Sequence, residues 1–480
     1  MIRDVEALPE TVDLAIVGAG PAGLAAAATA AGLGLSVLML DENPNVGGQI
    51  YRAITTNPVK DKDLLGADYW RGERLARAAA ASSAQHAAGA IVWSVSPREG
   101  GGYEIGVSIA GRSRLVTARE VMLATGALER PFPIPGWTLP GVMSCGGAQT
   151  VLKASGLVPA GRVAIAGCGP LLWLIAWQYL NAGVAIEAIL DTTPQANWLS
   201  ALRHLPALLA SPYFAKGLKL MRSVSRRARV VSGVTALRAE GSEKVEAVVY
   251  AKKSGREQRI TVDTLLLHQG VVPNINLANA IGCRHVWDGT QLTWKPETDA
   301  WGATSVPGIT VAGDGAGIAG AEAAAERGRI AALGVAQRLG RIDAIRRDRE
   351  AAAARTALAR FLRGRAFLDT LYRPAKAFRV PEGDTLACRC EEVTAARIRA
   401  TVPLGAIGPN QMKSFLRCGM GPCQGRECGL TVAELIADVR GVTMEEVGYY
   451  RLRPPVKPIA LGELAAMPKT ESAEKAVVRV

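Results

Sequence analysis

The chain has 480 residues, 49% of them hydrophobic and 21% charged, with a formal net charge of +13. That length exceeds what one hydrophobic core supports and predicts two or three domains of an α/β enzyme, for which 52 glycines suit close helix–strand packing. The 5% aromatic content argues against a base-stacking or carbohydrate surface, and the dispersed positive charge comes without a nucleic-acid-binding motif, so no nucleic-acid partner is expected.

Residues 1–10 are acidic and lack the apolar core of a secretory leader, and no apolar run reaches the roughly 18–20 residues of a membrane span. The longest candidate, 171–190, is broken by Gln178, Asn181 and Glu187 and reads as a buried helix and strand. Eight cysteines without a secretion signal point to reduced, metal-bound or buried thiols and a cytoplasmic protein.

In chain order, the apolar strand 13–17 runs straight into Gly18-Ala19-Gly20-Pro21-Ala22-Gly23 and an Ala/Leu helix, and a second strand, 36–40, ends at Asp41 and Glu42. This is G-x-G-x-x-G in the context that gives it meaning: strand before, helix after, acid about 20 residues on. Gly18 permits the tight turn, Gly20 lets the backbone approach a pyrophosphate at the helix N-terminus, and Gly23 lets the helix pack on the sheet, while Asp41 is positioned for ribose hydroxyls. Three further segments favour FAD over NAD: the turn Gly47-Gly48-Gln49, the strand end Ala124-Thr125-Gly126, and Gly313-Asp314 after a late strand, 308–312, and before a helix from 319. Asp314 suits a ribityl hydroxyl. These segments resemble the flavoproteins with two dinucleotide-binding domains, similar to thioredoxin and ferredoxin reductases, and the resemblance covers roughly residues 11–333.

A second strand–glycine–helix–strand unit begins at 163, but Gly167-Cys168-Gly169-Pro170-Leu171-Leu172 has a leucine where the third glycine belongs. NADH entry and a domain that no longer admits nicotinamide both stay open, with the second favoured, so NAD(P)H is a doubtful cofactor. No redox C-x-x-C occurs in that domain, and Cys145 and Cys283 stand alone as small buried hydrophobes. The four histidines show no nucleophile or metal spacing, so no acid–base residue is named. The basic stretch 203–229, interleaved with leucines and Phe214, fits a partner subunit, an anionic membrane face on the inner side of the cytoplasmic membrane, or a solvated amphipathic helix pair.

Near the C-terminus, Cys388-Arg389-Cys390 is followed by Cys418, Cys423 and Cys428, a C-x-C and then a C-x4-C with one thiol to spare. Zinc ribbons favour C-x2-C knuckles at both ends, which neither pair has, and Gly419, Gly421 and Gly425 offer backbone N–H groups to cluster sulfurs. The reading is an iron–sulfur cluster on Cys388, Cys390, Cys418 and Cys423, with Cys428 able to replace Cys423. The motifs 388–394, 408–411 and 417–426 resemble the bacterioferritin-associated-ferredoxin-like [2Fe–2S] domain. Its fusion behind an FAD domain resembles the A subunits of opine oxidases, and is similar to the alpha subunits of hydroxyproline and proline dehydrogenases and to hydrogen cyanide synthase.

The expected architecture is α/β, a Rossmann-like flavoprotein with two dinucleotide-binding domains. Residues 1–150 form the first part of the FAD domain, 151–290 the second nucleotide-binding-like domain and 291–340 the return to the first. A helical linker covers 341–385, the [2Fe–2S] module 386–441 and an extended tail 442–480, whose last dozen residues are expected to be mobile. The resemblance implies an electron-transfer subunit of a heteromeric opine or amino-acid oxidase. An FAD-containing beta subunit would oxidise the amine, a small ferredoxin-like subunit would join it, and an FMN would lie at a subunit interface. Two rivals are a stand-alone NAD(P)H-dependent reductase and a non-enzymatic scaffold with a zinc module.

Overall fold

The computed structural model describes residues 1–467, so the tail end expected to be mobile lies outside the described residues. β1 (Thr11–Val17) and β2 (Val37–Asp41) are apolar and buried on both faces, as central parallel strands must be. With β3 (Gln85–Ala88), β4 (Ile91–Pro97), β5 (Tyr103–Ile109) and β6 (Arg112–Leu123) they form a sheet in the order β3-β2-β1-β6-β5-β4. β6 changes partner along its length. Its first half pairs antiparallel with β5, while its second half runs parallel to β1, with Val17 opposite Leu123. The short strand Ile309–Val311 then adds in parallel beside the end of β6, which makes this domain discontinuous in sequence.

Helix α1 (Pro21–Gly32) carries Pro21 at its first turn and is mostly alanine and glycine, so it has little bulk to hold neighbours away. The helix Ala321–Arg338 packs against it so closely that a Cβ on Gly328 would stand 2.2 Å from the Ala22 carbonyl oxygen. This helix begins two residues after the start at 319 read from sequence.

The second sheet is wholly parallel, in the order Val230–Ser232, Ile186–Asp191, Val163–Cys168, Thr264–Gln269 and Val142–Ser144. Its last strand precedes residue 150, so the crossover between domains comes earlier than expected; three residues are too few to show a strand period. An antiparallel sheet of Val234–Glu240, Ala247–Lys252 and Glu257–Thr261 covers one face.

The expected linker is mostly helical, Ala344–Leu362 and Arg365–Leu371. The cysteine module that follows closes its core with Tyr450 and Leu452, residues beyond the boundary at 441. The tail then crosses to the first domain. There the Val456 N–H donates to the Trp93 carbonyl at 2.9 Å and Lys457 pairs with Glu42 at 2.6 Å. Among the described residues no helix is long and apolar enough to cross a membrane.

The helix Cys145–Ser155 spans the two domains and buries Lys153 without a carboxylate. Its Nζ donates to the carbonyl of Ile50 at 2.8 Å and to Gln149 Oε1 at 2.7 Å, and burial pushes its pKa down to about 7 from 10.5. Between those values the unfolded chain binds more protons than the folded one, so stability rises with pH across that window. Denaturant unfolding from pH 7 to about 9.5, below the ordinary tyrosine range, is expected to show this rise in the wild type and a flatter profile in Lys153→Met. Identical slopes would contradict the assignment.

Candidate functional site

Four stretches far apart in sequence converge where β1 meets α1, and each contact needs a missing side chain. Gly18 has φ +112°, and a Cβ there would lie 2.4 Å from the Ala124 carbonyl oxygen. A Cβ on Gly23 would lie 1.8 Å from the Gly18 carbonyl oxygen, one on Gly48 2.8 Å from the Gly20 Cα, and one on Gly313 2.7 Å from the Ala22 Cβ. Gly20 differs. A Cβ there would meet only the Gly48 Cα, at an ordinary 3.7 Å, so protein packing does not demand glycine; the space it leaves lies at the N-cap of α1, where no side chain caps the helix amides.

The acids at this site divide their work. Asp41 is buried and accepts from the Ala19 N–H at 2.5 Å and from the Asn43 N–H and Nδ2 at 2.8 Å each. It therefore holds the glycine turn rather than facing outward. Glu42, the next residue, is exposed and reaches only Lys457. Gln49 is exposed, and its Oε1 accepts from Arg52 at 3.0 Å and Thr150 at 3.3 Å. Gly126 has φ +67° with open space around it. Asp314 Oδ1 accepts from the N–H groups of Ala319 and Gly320 at 2.9 and 3.1 Å, which shapes the loop before the helix Ala321–Arg338.

The corresponding edge of the second sheet is filled by the chain itself. In an open parallel sheet ligands bind beyond the carboxyl ends of the strands. Here the His268 imidazole covers Gly169, whose Cβ would stand 3.1 Å from Nε2, and Nδ1 of the same ring lies 2.6 Å from Glu129 Oε1. Asp191 accepts from the Thr193 N–H at 2.9 Å and hydroxyl at 2.6 Å, and burial raises its pKa. The linker lies across the remaining strand ends. The Cys168 thiol points at the Tyr372 carbonyl, 3.6 Å away, Asn197 Nδ2 donates to the carbonyls of Leu371 and Arg373, and Gln269 Nε2 donates to those of Pro131 and Phe378. Glu129, His268 and Tyr372 belong to no recognisable motif, and only the fold brings them together.

The C-terminal module gathers five thiols, none of them in a disulfide. Cys388 neighbours both Cys418 and Cys428, and Cys423 neighbours both Cys428 and Cys390. The neighbour of Cys418 among these thiols is Cys388, whereas Cys428 lies between Cys388 and Cys423, and Cys423 lies beside Cys390. Backbone amides of Glu391 and Gly419 lie beside the Cys388 sulfur, and those of Gly425 and Glu427 beside Cys423. N–H···S bonds from amides so placed stabilise thiolates that hold a metal. Among the described residues, no three His, Cys, Asp or Glu side chains converge as one ion requires. The glycines are required by packing here: a Cβ on Gly421 would stand 2.4 Å from the Cys390 Cβ, and those on Gly419 and Gly425 would press into the Tyr450 ring.

A short relay joins the two centres. Thr125 Oγ1 donates to the Asn274 carbonyl at 3.0 Å, the Asn274 N–H donates to the Gly126 carbonyl at 2.9 Å, and Asn276 Nδ2 donates to the Gln424 carbonyl, next to Cys423, at 2.9 Å. Val272, Ile275 and Trp294 pack with Leu430 of the module around this relay.

Residues 12–340 match the pyridine nucleotide-disulphide oxidoreductase family, and residues 385–468 match the sarcosine oxidase A3 domain. The chain is 48% identical to the A subunit of the opine oxidase of Agrobacterium tumefaciens (strain Ach5), over 98% of this chain and 94% of that protein. It is 32% identical to the HcnB subunit of the hydrogen cyanide synthase of Pseudomonas protegens, over 92% and 95% respectively. The crystal structure of L-proline dehydrogenase from P. horikoshii superposes with a TM-score of 0.69 over 95% of this chain and 79% of that one; at 20% identity this likeness concerns the fold alone. By these matches the chain belongs to the pyridine nucleotide-disulphide oxidoreductase family and, within it, to the group of FAD-dependent oxidoreductases formed by the A subunits of opine oxidases.

Proposed function

We propose that this chain is the electron-handling subunit of a heteromeric oxidase acting on the C–N bond of an opine or amino acid. An FAD-containing partner subunit oxidises the substrate, and this chain carries the electrons towards a respiratory acceptor. A small ferredoxin-like subunit, with an FMN at an interface, fits the same assembly. The observation that carries the reading is the relay from Thr125 and Gly126 through Asn274 and Asn276 to Gln424, which ties the glycine cradle and the thiols to one short segment of chain. A bound flavin would supply the change from two-electron to one-electron transfer, and an iron–sulfur cluster the single-electron carrier.

The chain's own residues then have separate tasks. Gly18 and Gly23 set the turn, and Gly20 together with Pro21 and Ala22 presents the helix amides to the pyrophosphate. Asp41 fixes that turn, which leaves Glu42 as the carboxylate for the adenosine ribose. Gly48 and Gln49, Thr125 and Gly126, and Gly313 with Asp314 border the flavin chain. The contact order of the thiols favours Cys388, Cys390, Cys423 and Cys428 as cluster ligands, with Cys418 outside, in place of the set that includes Cys418. Two thiol pairs suit two irons better than one tetrahedral zinc. Closure of the second sheet by His268, Asp191 and Tyr372 speaks against the NAD(P)H-dependent rival.

Three outcomes test this. Gly20→Val is expected to fold with a stability change under about 1 kcal/mol yet retain less than about a tenth of the flavin. Gly23→Ala, driven against the Gly18 carbonyl, costs about 1–3 kcal/mol or more by thermal unfolding. Equal flavin retention in Gly20→Val and the wild type would remove the cradle assignment. After anaerobic reconstitution, Cys428→Ser is expected to lose the visible iron–sulfur absorption while Cys418→Ser keeps it, and the reverse pattern would restore the other ligand set. NADH is expected to leave the flavin absorbance of the reconstituted chain unchanged over minutes, whereas an opine or amino acid bleaches it when the partner subunit is present. Rapid bleaching by NADH would favour the rival reductase.

A further inference from the structure

Between Asp191 and Glu240, and again between Glu350 and Asp369, the chain has no acidic residue. The fold brings these two stretches together. Helices Gln195–Leu202 and Leu205–Leu209 pack on the helix Arg365–Leu371 through Ala201, Leu208, Phe367 and Leu371, and the Tyr213 hydroxyl donates to the Phe361 carbonyl at 2.8 Å. Helix Tyr213–Ser225 continues the same layer, seated on the second sheet's helix Pro170–Asn181.

What this layer shows to solvent is unusual. Leu199 is 75% exposed and Trp198 47%, and Leu202, Leu209 and Phe214 are exposed as well. The same stretches carry Arg203, Lys219, Arg222, Arg360 and Arg363, none of which meets a carboxylate within salt-bridge distance among the described residues. A groove of about 960 Å³ runs between Leu209–Pro212 and the helix end at Phe361, with Arg360 and Arg363 on its rim. Several large apolar side chains exposed on one layer mark a contact site.

The chemistry selects the partner. Tryptophan and arginine occur in protein interfaces too, but the cores of such interfaces are depleted in charged residues, lysine included. Here unpaired cations accompany exposed tryptophan and leucine on one helical layer, the pattern of helices lying in a membrane interface, where the rings and leucines enter between headgroups and the cations attract anionic lipid. We propose that this helical layer, 195–225 with the end of helix Ala344–Leu362, seats the protein on a bilayer rich in anionic phospholipid. If the chain handles electrons as proposed above, the contact would bring it to lipid-soluble electron acceptors.

The test is co-sedimentation of the full-length chain, alone and with its partner subunit, with vesicles of phosphatidylcholine and phosphatidylglycerol. Binding is expected to the mixed vesicles, to weaken at least about tenfold on pure phosphatidylcholine, and to disappear near ~0.5 M salt. The double variant Lys219→Glu and Arg222→Glu is expected to bind about tenfold or more weakly. So is the pair Trp198→Ser and Leu199→Ser at constant charge. A control with the same change in net charge elsewhere, Arg98→Glu and Arg256→Glu, keeps its binding. Thermal melts that match the wild type keep the comparison interpretable, and single substitutions replace any pair that unfolds. Absent binding, equal binding to neutral vesicles, or equal loss in the control would overturn the proposal. So would a Leu199→Cys thiol that the partner subunit shields from labelling without lipid, since that would make the layer a protein interface.

Discussion

The structure depends on backbone approaching backbone where β1 meets α1. A peptide carbonyl from β6's end fits against Gly18 and the Gly18 carbonyl fits against Gly23, only because neither residue has a side chain. From that point α1, with almost no side-chain bulk, admits the helix Ala321–Arg338 along its length. A single methyl group at Gly23 or Gly328 would separate β1, α1 and the returning helix, and with them the Gly48 and Gly313 turns. The cradle for a dinucleotide is thus a by-product of the closest packing in the molecule. It also explains why segments separated by nearly 300 residues meet at one helix start.

The two nucleotide-type domains have diverged from a common plan in opposite directions. In the first, Asp41 is turned inward to brace the glycine turn, and the space before α1 stays open. In the second, the equivalent Asp191 is also turned inward, but His268 and the linker occupy the strand ends. The linker's path has a second consequence. Phe378 binds Gln269 through its carbonyl, Arg379 pairs with Glu434, and the Trp137 indole donates to Leu386, so the segment that closes the second site also fixes the cysteine module. Closing one entry and mounting the other centre are the same structural event.

The α/β class, both glycine turns and the cysteine-rich module were legible in the sequence because each is a local pattern: strand, glycines at fixed spacing, helix, or thiols within a few residues. The degenerate Leu172 already hinted that the second site differs. What closes that site was not legible, since Glu129, His268 and Tyr372 are ordinary residues brought together by long-range sheet order. The sequence leaves the choice among thiols open, because Cys418–Cys423 and Cys423–Cys428 have the same spacing. The strand Val142–Ser144 was too short to show a period. Tyr450 and Leu452 lay in a stretch read as tail, although they complete the module's core.

The central claim is that one polypeptide carries both a flavin and a two-iron centre, held on a common support. Anaerobic dithionite titration of the reconstituted chain, followed by absorbance and paramagnetic resonance together, tests it most directly. The account predicts uptake of about three electrons per chain, two by the flavin and one by the cluster, with a rhombic low-temperature signal that accounts for the third. Uptake of about two electrons with no such signal, from protein that has bound iron and sulfide to saturation, would contradict it.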